Sequence, residues 1–215
     1  MAFGIHFKVL RKDHLLSLVE KDKPLKIIAT VNAEFIILAN EDERFKRILN
    51  DNISVIDGQI PYLLIKLRHP SMKIEKLSGS SVIYDICEKA AELRLRVFLL
   101  GGTNIANDIT KKRLKSLYPN LVLSGYSPPY CRYPFLMKHN QKIINVISKF
   151  KPDVLFVAFG PPKQEFWIDD NKIELEKIGV RLAMGVGGTF EIISGIEKKA
   201  PKFVQQIGFE GIWRL

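Results

Sequence analysis

Short β-rich runs alternate along the chain with longer amphipathic stretches. The runs "KIIAT" (26–30), "NISVI" (52–56), "IEKLS" (74–78), "RVFLL" (96–100), "LVLSG" (121–125), "DVLFVAF" (153–159) and "RLAMG" (181–185) read as strands. Helical periodicity fills 33–49, 80–94, 104–117, 136–150, 165–178 and 202–212. Central strands that are apolar on both faces and separated by helices predict an α/β, Rossmann-like, mostly parallel sheet with helices on both faces. Residues 1–195 read as one domain and 196–215 as a short C-terminal helical extension. The segment "YSPPYCRYPF" (126–135) reads as a proline-rich loop.

In an open α/β sheet the ligand sits beyond the carboxyl ends of the strands, so the residues after each strand carry the chemistry. Thr30 and Asn32 stand at the end of the first strand, where taken alone either reads simply as a helix N-cap. Asp57-Gly58 follows the second; such a pair makes a turn, and at the end of a central strand it also brings a carboxylate to the ligand edge. Gly101-Gly102-Thr103 ends another strand and opens a helix, which lets a phosphate approach backbone amides. The strand ending at Phe159 delivers Pro161-Pro162-Lys163-Gln164-Glu165, and the last delivers "GVGGTFEIISG" (185–195). So many polar or glycine-rich strand ends on one rim favour a phosphate-bearing ligand.

Composition narrows the class. With 215 residues, 47% hydrophobic and 26% charged, the chain can bury a full core and is not disordered. The net charge of +10 attracts anionic lipid surfaces and phosphorylated small molecules; the basic residues are dispersed, and no nucleic-acid-binding motif accompanies them. Cys87 and Cys131 fit no metal or redox spacing, which points to a reducing compartment. The N-terminus has no uncharged apolar core of a signal peptide, and the longest uncharged run, Tyr118–Cys131, carries three prolines, so no membrane-spanning helix is expected. Walker A, G-x-S-x-G and Asp-x-Asp patterns are absent, and His6, His14, His69 and His139 have no zinc-ligand spacing. No metal and no cofactor is therefore expected. The lack of G-x-G-x-x-G argues against a nicotinamide-dependent oxidoreductase.

Assembled in order, "TVNAEFI" (30–36), "VIDGQ" (55–59), "KLSGSS" (76–81), "VFLLGGT" (97–103), "PNLVLSGYSPPY" (119–130), "PDVLFVAFGPPKQEFWI" (152–168), "GVGGTFEIISG" (185–195), "KAP" (199–201) and "FEGIWRL" (209–215) resemble the WecG/TagA/CpsF family of bacterial glycosyltransferases. The resemblance implies an inverting transferase. It would move N-acetylmannosamine, its uronate or a related hexose from a UDP-sugar to a polyprenyl-diphosphate-linked sugar, at the cytoplasmic face of the plasma membrane, in cell-surface polysaccharide synthesis. By the same resemblance Asp57 is the general base, Thr30 and Asn32 line the sugar pocket, and Gln164 contacts the donor sugar. Pro162, Lys163 and Glu165 are held beside it; Lys76, Ser78 and Gly79, the Gly101-Gly102 edge and Gly185-Val186-Gly187-Gly188 admit the nucleotide and its diphosphate. Homo-oligomerisation is compatible with the family.

The chain departs from the family pattern at four positions. Ser81 and Glu191 stand where aspartate is usual, and Lys76 and Lys199 where arginine is usual. Family members usually continue past "WRL" with a basic segment that helps close the site, so 196–215 is expected to be the start of a truncated appendage. These departures motivate an alternative reading, a catalytically weak or inactive nucleotide-sugar-binding subunit of the same family.

Overall fold

The computed structural model describes residues 1–8, 17–18, 24–71, 77 and 79–197. Six strands, β1 (Lys26–Val31), β2 (Ile53–Ile56), β3 (Arg96–Gly101), β4 (Val122–Tyr126), β5 (Val154–Ala158) and β6 (Leu182–Gly185), form one sheet in the order β2-β1-β6-β5-β3-β4. Every neighbouring pair is parallel. Six of the seven strand expectations are met to within a residue or two. The seventh, 74–78, lies outside the described residues except for Leu77, whose N–H donates to Ile56 O at 2.9 Å beside β2.

The helices among the described residues are α1 (Ala33–Glu41), α2 (Glu43–Asp51), α3 (Gln59–Arg68), α4 (Gly79–Glu92), α5 (Asn104–Leu117), α6 (Met137–Phe150), α7 (Lys163–Asp170), α8 (Lys172–Ile178) and α9 (Thr189–Ser194). Two of them, α3 and α9, were not expected. Gly58 and Pro61 give the start of α3 the look of a turn, yet proline is compatible with a first helical turn, where the N–H it lacks has no partner. The helix expected over 33–49 is two. Asp42 takes an extended conformation between them, its N–H closing α1 onto Leu38 O while its side chain accepts from Phe45 N at 2.9 Å to cap α2. The helix expected over 165–178 begins at Lys163 and is likewise two, joined at Asn171. Residues 202–212 lie outside the described residues.

Strand alternation assigns side chains to opposite faces. Along β5, Val154, Phe156 and Ala158 enter the core beneath α4, α5 and α9, while Leu155 and Val157 enter the core with Ile143 and Ile147 of α6, Trp167 and Ile168 of α7 and Leu175 of α8. Ala29 and Val31 of β1 pack with Phe35 of α1 and with Phe45 and Leu49 of α2. The 126–135 connection is anchored by rings: Tyr133 stacks on Phe166, and Phe135 meets Phe159 edge-on. β1 and β2 occupy one edge and β3 and β4 the other, and β5 and β6 return to fill the centre. All six carboxyl ends consequently share one rim, with the change of direction in the middle of the sheet.

Asp42→Ala should leave the fold intact and cost about 1 kcal/mol, the usual loss for an N-cap carboxylate. The midpoint of a thermal melt should fall by about 2–4 °C for a domain of this length.

Candidate active site

The rim holds two adjoining hollows. The first, about 150 Å³, lies over the ends of β1, β2, β5 and β6 and is lined by Thr30, Asn32, Asp57, Gly79, Gln164 and the 185–189 turn, with Glu34 at its wall. The second, about 500 Å³, lies over β3, β4 and β5 and is lined by Gly101, Gly102, Tyr130, Phe159, Lys163 and Glu191, among others.

In the first hollow Asn32, Asp57 and Gln164 each have a structural tether. Asn32 caps α1, its Oδ1 accepting from Phe35 N at 3.0 Å, so the modest N-cap reading of this residue holds while its side chain still borders the cavity. Asp57 continues the β1–β2 pairing through its own N–H to Val31 O at 2.9 Å. Its Oδ2 accepts from Gly79 N at 3.2 Å, at the start of α4. Gly79 packs closely there: a Cβ would stand 3.2 Å from Thr30 Oγ1, so the threonine would have to give by a few tenths of an ångström, and 3.8 Å from Asp57 Oδ2. Thr30, Asp57 and Gly79 therefore meet although 49 positions separate the first from the last.

Gln164 is held most tightly. The turn after β5, with Gly160 at φ 78°, starts α7 at Lys163 and directs Gln164 inward. Its Oε1 accepts from Gly187 N at 3.0 Å and its Nε2 donates to Glu165 Oε1 at 2.8 Å. The two partners make opposite demands, one a donor and one an acceptor, and so fix which end of the amide is which. Gly185 lies against this pair: a Cβ there would meet Glu165 Oε1 at 2.4 Å and Gln164 Nε2 at 2.5 Å.

Glu165 lies behind the ligand edge. The residue is buried, its carboxyl faces Gln164 and Gly185 instead of the hollow, and its Oε2 has no hydrogen-bond partner. Burial pushes its pKa up to about 8; the hydrogen bond from Gln164 opposes the shift and the Glu34 carboxylate adds to it. A helix favours this arrangement because consecutive residues point in different directions, so Gln164 takes the cavity wall and its neighbour the core.

The second hollow has a different character. Gly101 and Gly102 both have positive φ, and a Cβ on Gly101 would come within 2.5 Å of Ala158 O. Thr103 caps α5 at Ala106 N, and Glu191 reaches over from α9 to accept from Thr103 N at 3.1 Å. Tyr130 is 89% exposed for so large a ring. The Lys163 ammonium lies 5.1 Å from the centre of the Tyr130 ring and 5.8 Å from that of Phe159. Among the described residues that line the two hollows, Lys163 is the one that is basic.

Of the residues singled out from the sequence, Thr30, Asn32, Asp57, Gln164, Gly79 and Gly185-Val186-Gly187-Gly188 gather in the first hollow, and Gly101, Gly102 and Lys163 in the second. Pro162 borders neither and precedes α7 as its N-cap residue. Lys76, Ser78 and Lys199 lie outside the described residues. Ser81 is exposed on α4. Glu34, Thr189 and Tyr130 are wall residues not singled out from the sequence, although each lies inside one of the motifs that carry the family resemblance. Glu191, noted only as a departure, caps α5 and borders the second hollow. No group of acidic, histidine or cysteine side chains suited to a metal ion occurs among the described residues.

A parallel sheet with polar groups gathered on its carboxyl rim is the ligand-binding arrangement of open α/β enzymes. Comparison with known proteins agrees: the model of the Glycosyl transferase WecG/TagA/CpsF family matches residues 1–215, and the chain belongs to that family. Two relatives from Staphylococcus aureus, strains MRSA252 and NCTC 8325 / PS 47, are each 27% identical over 188 residues, covering 87% of this chain and 70% of theirs. Both are named N-acetylglucosaminyldiphosphoundecaprenol N-acetyl-beta-D-mannosaminyltransferase.

The raised Glu165 pKa has a consequence for stability. The folded protein keeps a proton that the unfolded chain releases at its ordinary value of 4.5. The stability this contributes is fully present below about pH 4.5 and is lost as pH rises to about 8, at up to about 1.4 kcal/mol per pH unit. Denaturation of wild type and Glu165→Gln across this range should therefore show the variant gaining on the wild type as pH rises. Parallel pH profiles would show that Glu165 titrates normally.

Proposed function

We propose that this chain transfers a hexose, with N-acetylmannosamine the first candidate, from UDP to a hydroxyl of a polyprenyl-diphosphate-linked sugar, inverting the anomeric centre. The observation that carries this reading is the convergence of Asp57, Thr30, Asn32 and Gln164 in a small polar hollow next to a larger aromatic one. The larger hollow is within the volume range of about 300–1,000 Å³ usual for small-molecule sites. It suits a nucleoside diphosphate: the Tyr130 ring for a pyrimidine, the Glu191 carboxylate for a ribose diol, and the Gly101-Gly102 backbone with Lys163 for the phosphates. The smaller hollow suits one sugar ring.

In this reading Asp57 accepts the proton of the acceptor hydroxyl as that oxygen bonds to the anomeric carbon. The bond from that carbon to the diphosphate breaks at the same time, and UDP leaves with the electron pair. Gly79 N–H orients the Asp57 carboxylate through Oδ2. Gln164, its amide fixed from both sides, offers the donor sugar a group of defined polarity at no cost in rotamer entropy when the sugar binds. The names of the staphylococcal relatives support both the aminosugar and the lipid-linked acceptor. An acceptor of that kind would bring the enzyme to the inner face of the plasma membrane as a peripheral protein.

UDP and UDP-N-acetylmannosamine should raise the melting temperature, a ligand at 100 times its dissociation constant adding about 2.7 kcal/mol. Asp57→Asn should keep that response and lose roughly 10²- to 10⁴-fold in transfer rate, the usual contribution of a general base. Wild-type transfer by Asp57→Asn, or a wild type blind to UDP and to every UDP-hexose, would refute the assignment. Gly185→Ala should weaken the UDP-sugar response more than the UDP response, because its Cβ displaces the Gln164 amide.

A further inference from the structure

The helix that leaves the proposed general base carries an apolar face that nothing among the described residues covers. α3 begins two residues after Asp57, and Ile60, Leu63, Leu64 and Leu67 are 36%, 48%, 42% and 77% exposed. Their spacing of i, i+3, i+4 and i+7 puts all four on one side of a helix that turns about 100° per residue. The roughly opposite side holds Pro61 and Ile65, which are buried; Ile65 packs with Ile56, and Ala2, Phe3, Phe7 and Tyr62 are packed against that pair. α3 is thus a surface helix with two apolar sides, and its core accounts for only one of them. No other helix among the described residues carries more than two exposed large apolar residues, and four on one helix face is not ordinary.

Charge and position identify what covers it. Lys66 and Arg68, both in the last turn, fall on the two flanks of the leucine stripe, as in helices that lie in the interface of an anionic bilayer. The chain as a whole carries +10. No helix among the described residues is long and apolar enough to cross a membrane. At about 1.5 Å per residue the stripe starts within a few ångströms of the Asp57 end and runs on the order of 10 Å from it.

We infer that the Ile60–Leu67 stripe of α3 is a docking surface for an anionic lipid bilayer, holding the Asp57 hollow at the depth where a lipid-linked acceptor presents its sugar. This rests on the proposed reaction for its purpose, although the binding itself does not. The leucines enter the acyl boundary, the basic flanks stay among the headgroups, and the mouth beside Asp57 faces the membrane.

The test is co-sedimentation of the 215-residue chain with vesicles of equal parts phosphatidylglycerol and phosphatidylcholine, for wild type, Leu63→Gln/Leu67→Gln, Lys66→Gln/Arg68→Gln and, as a control, Ile173→Gln, an exposed position on α8. The leucine pair should weaken binding roughly tenfold or more. The basic pair should weaken it by roughly fivefold for each charge, on anionic vesicles only. Ile173→Gln should bind as the wild type does. A UDP thermal shift run on each protein separates the two claims: the leucine variant should keep it, and its loss from the wild type would count against the reaction and not against the surface. Equal vesicle binding by the leucine variant and wild type would overturn the proposal. So would a wild type that ignores vesicles and forms a dimer which the leucine substitutions dissociate, because the stripe would then belong to a second copy of the chain.

Discussion

Parallel pairing of all six strands is the constraint on which the rest depends. A parallel sheet needs a crossover between successive strands, the crossovers are helices, and helices on both sides leave the strands no polar face. β5 shows how strict this is, since Val154, Leu155, Phe156 and Val157 are fully buried. Polar chemistry can then appear only where the strands stop. Because all six stop on one rim, residues from positions 30, 57, 79, 164 and 187 meet without any of them lying close in sequence.

The second requirement is that the groups on this rim arrive already oriented. Gln164 is held from one side by Gly187 N–H and from the other by Glu165, and Asp57 is held by Gly79 N–H. Gly185 makes this possible by the absence of a side chain where Glu165 and Gln164 approach, and Gly79 brings its backbone close to Thr30 and Asp57. The arrangement has a cost in the buried carboxyl of Glu165, which is pushed toward its neutral form and leaves one oxygen without a partner. Such a group is tolerated where the orientation it enforces is used.

The central strands were legible in the sequence because burial on both faces writes an apolar run that little else produces. Helix boundaries were less so. The amphipathic period continues across Asp42 and across Asn171, and whether a polar residue in such a run faces solvent or turns to cap the next helix is decided by tertiary packing. α3 was hidden by Gly58 and Pro61, which read locally as a turn. The rim residues were legible as a set because strand ends are a topological position, but their division between two hollows was not, since it depends on strand order. The burial of Glu165 depends on which way α7 rotates on leaving β5, and a helix that short carries too little periodicity to show it.

The division of the rim into a nucleotide hollow and a sugar hollow is the central claim. Calorimetric titration of UDP into wild type, Tyr130→Ala and Thr30→Ala tests it most directly. Loss of a base-stacking ring costs about 1–3 kcal/mol, so Tyr130→Ala should weaken UDP by roughly five- to 150-fold, while Thr30→Ala leaves it within about twofold. The reverse pattern, with UDP affinity lost in Thr30→Ala and kept in Tyr130→Ala, would contradict it.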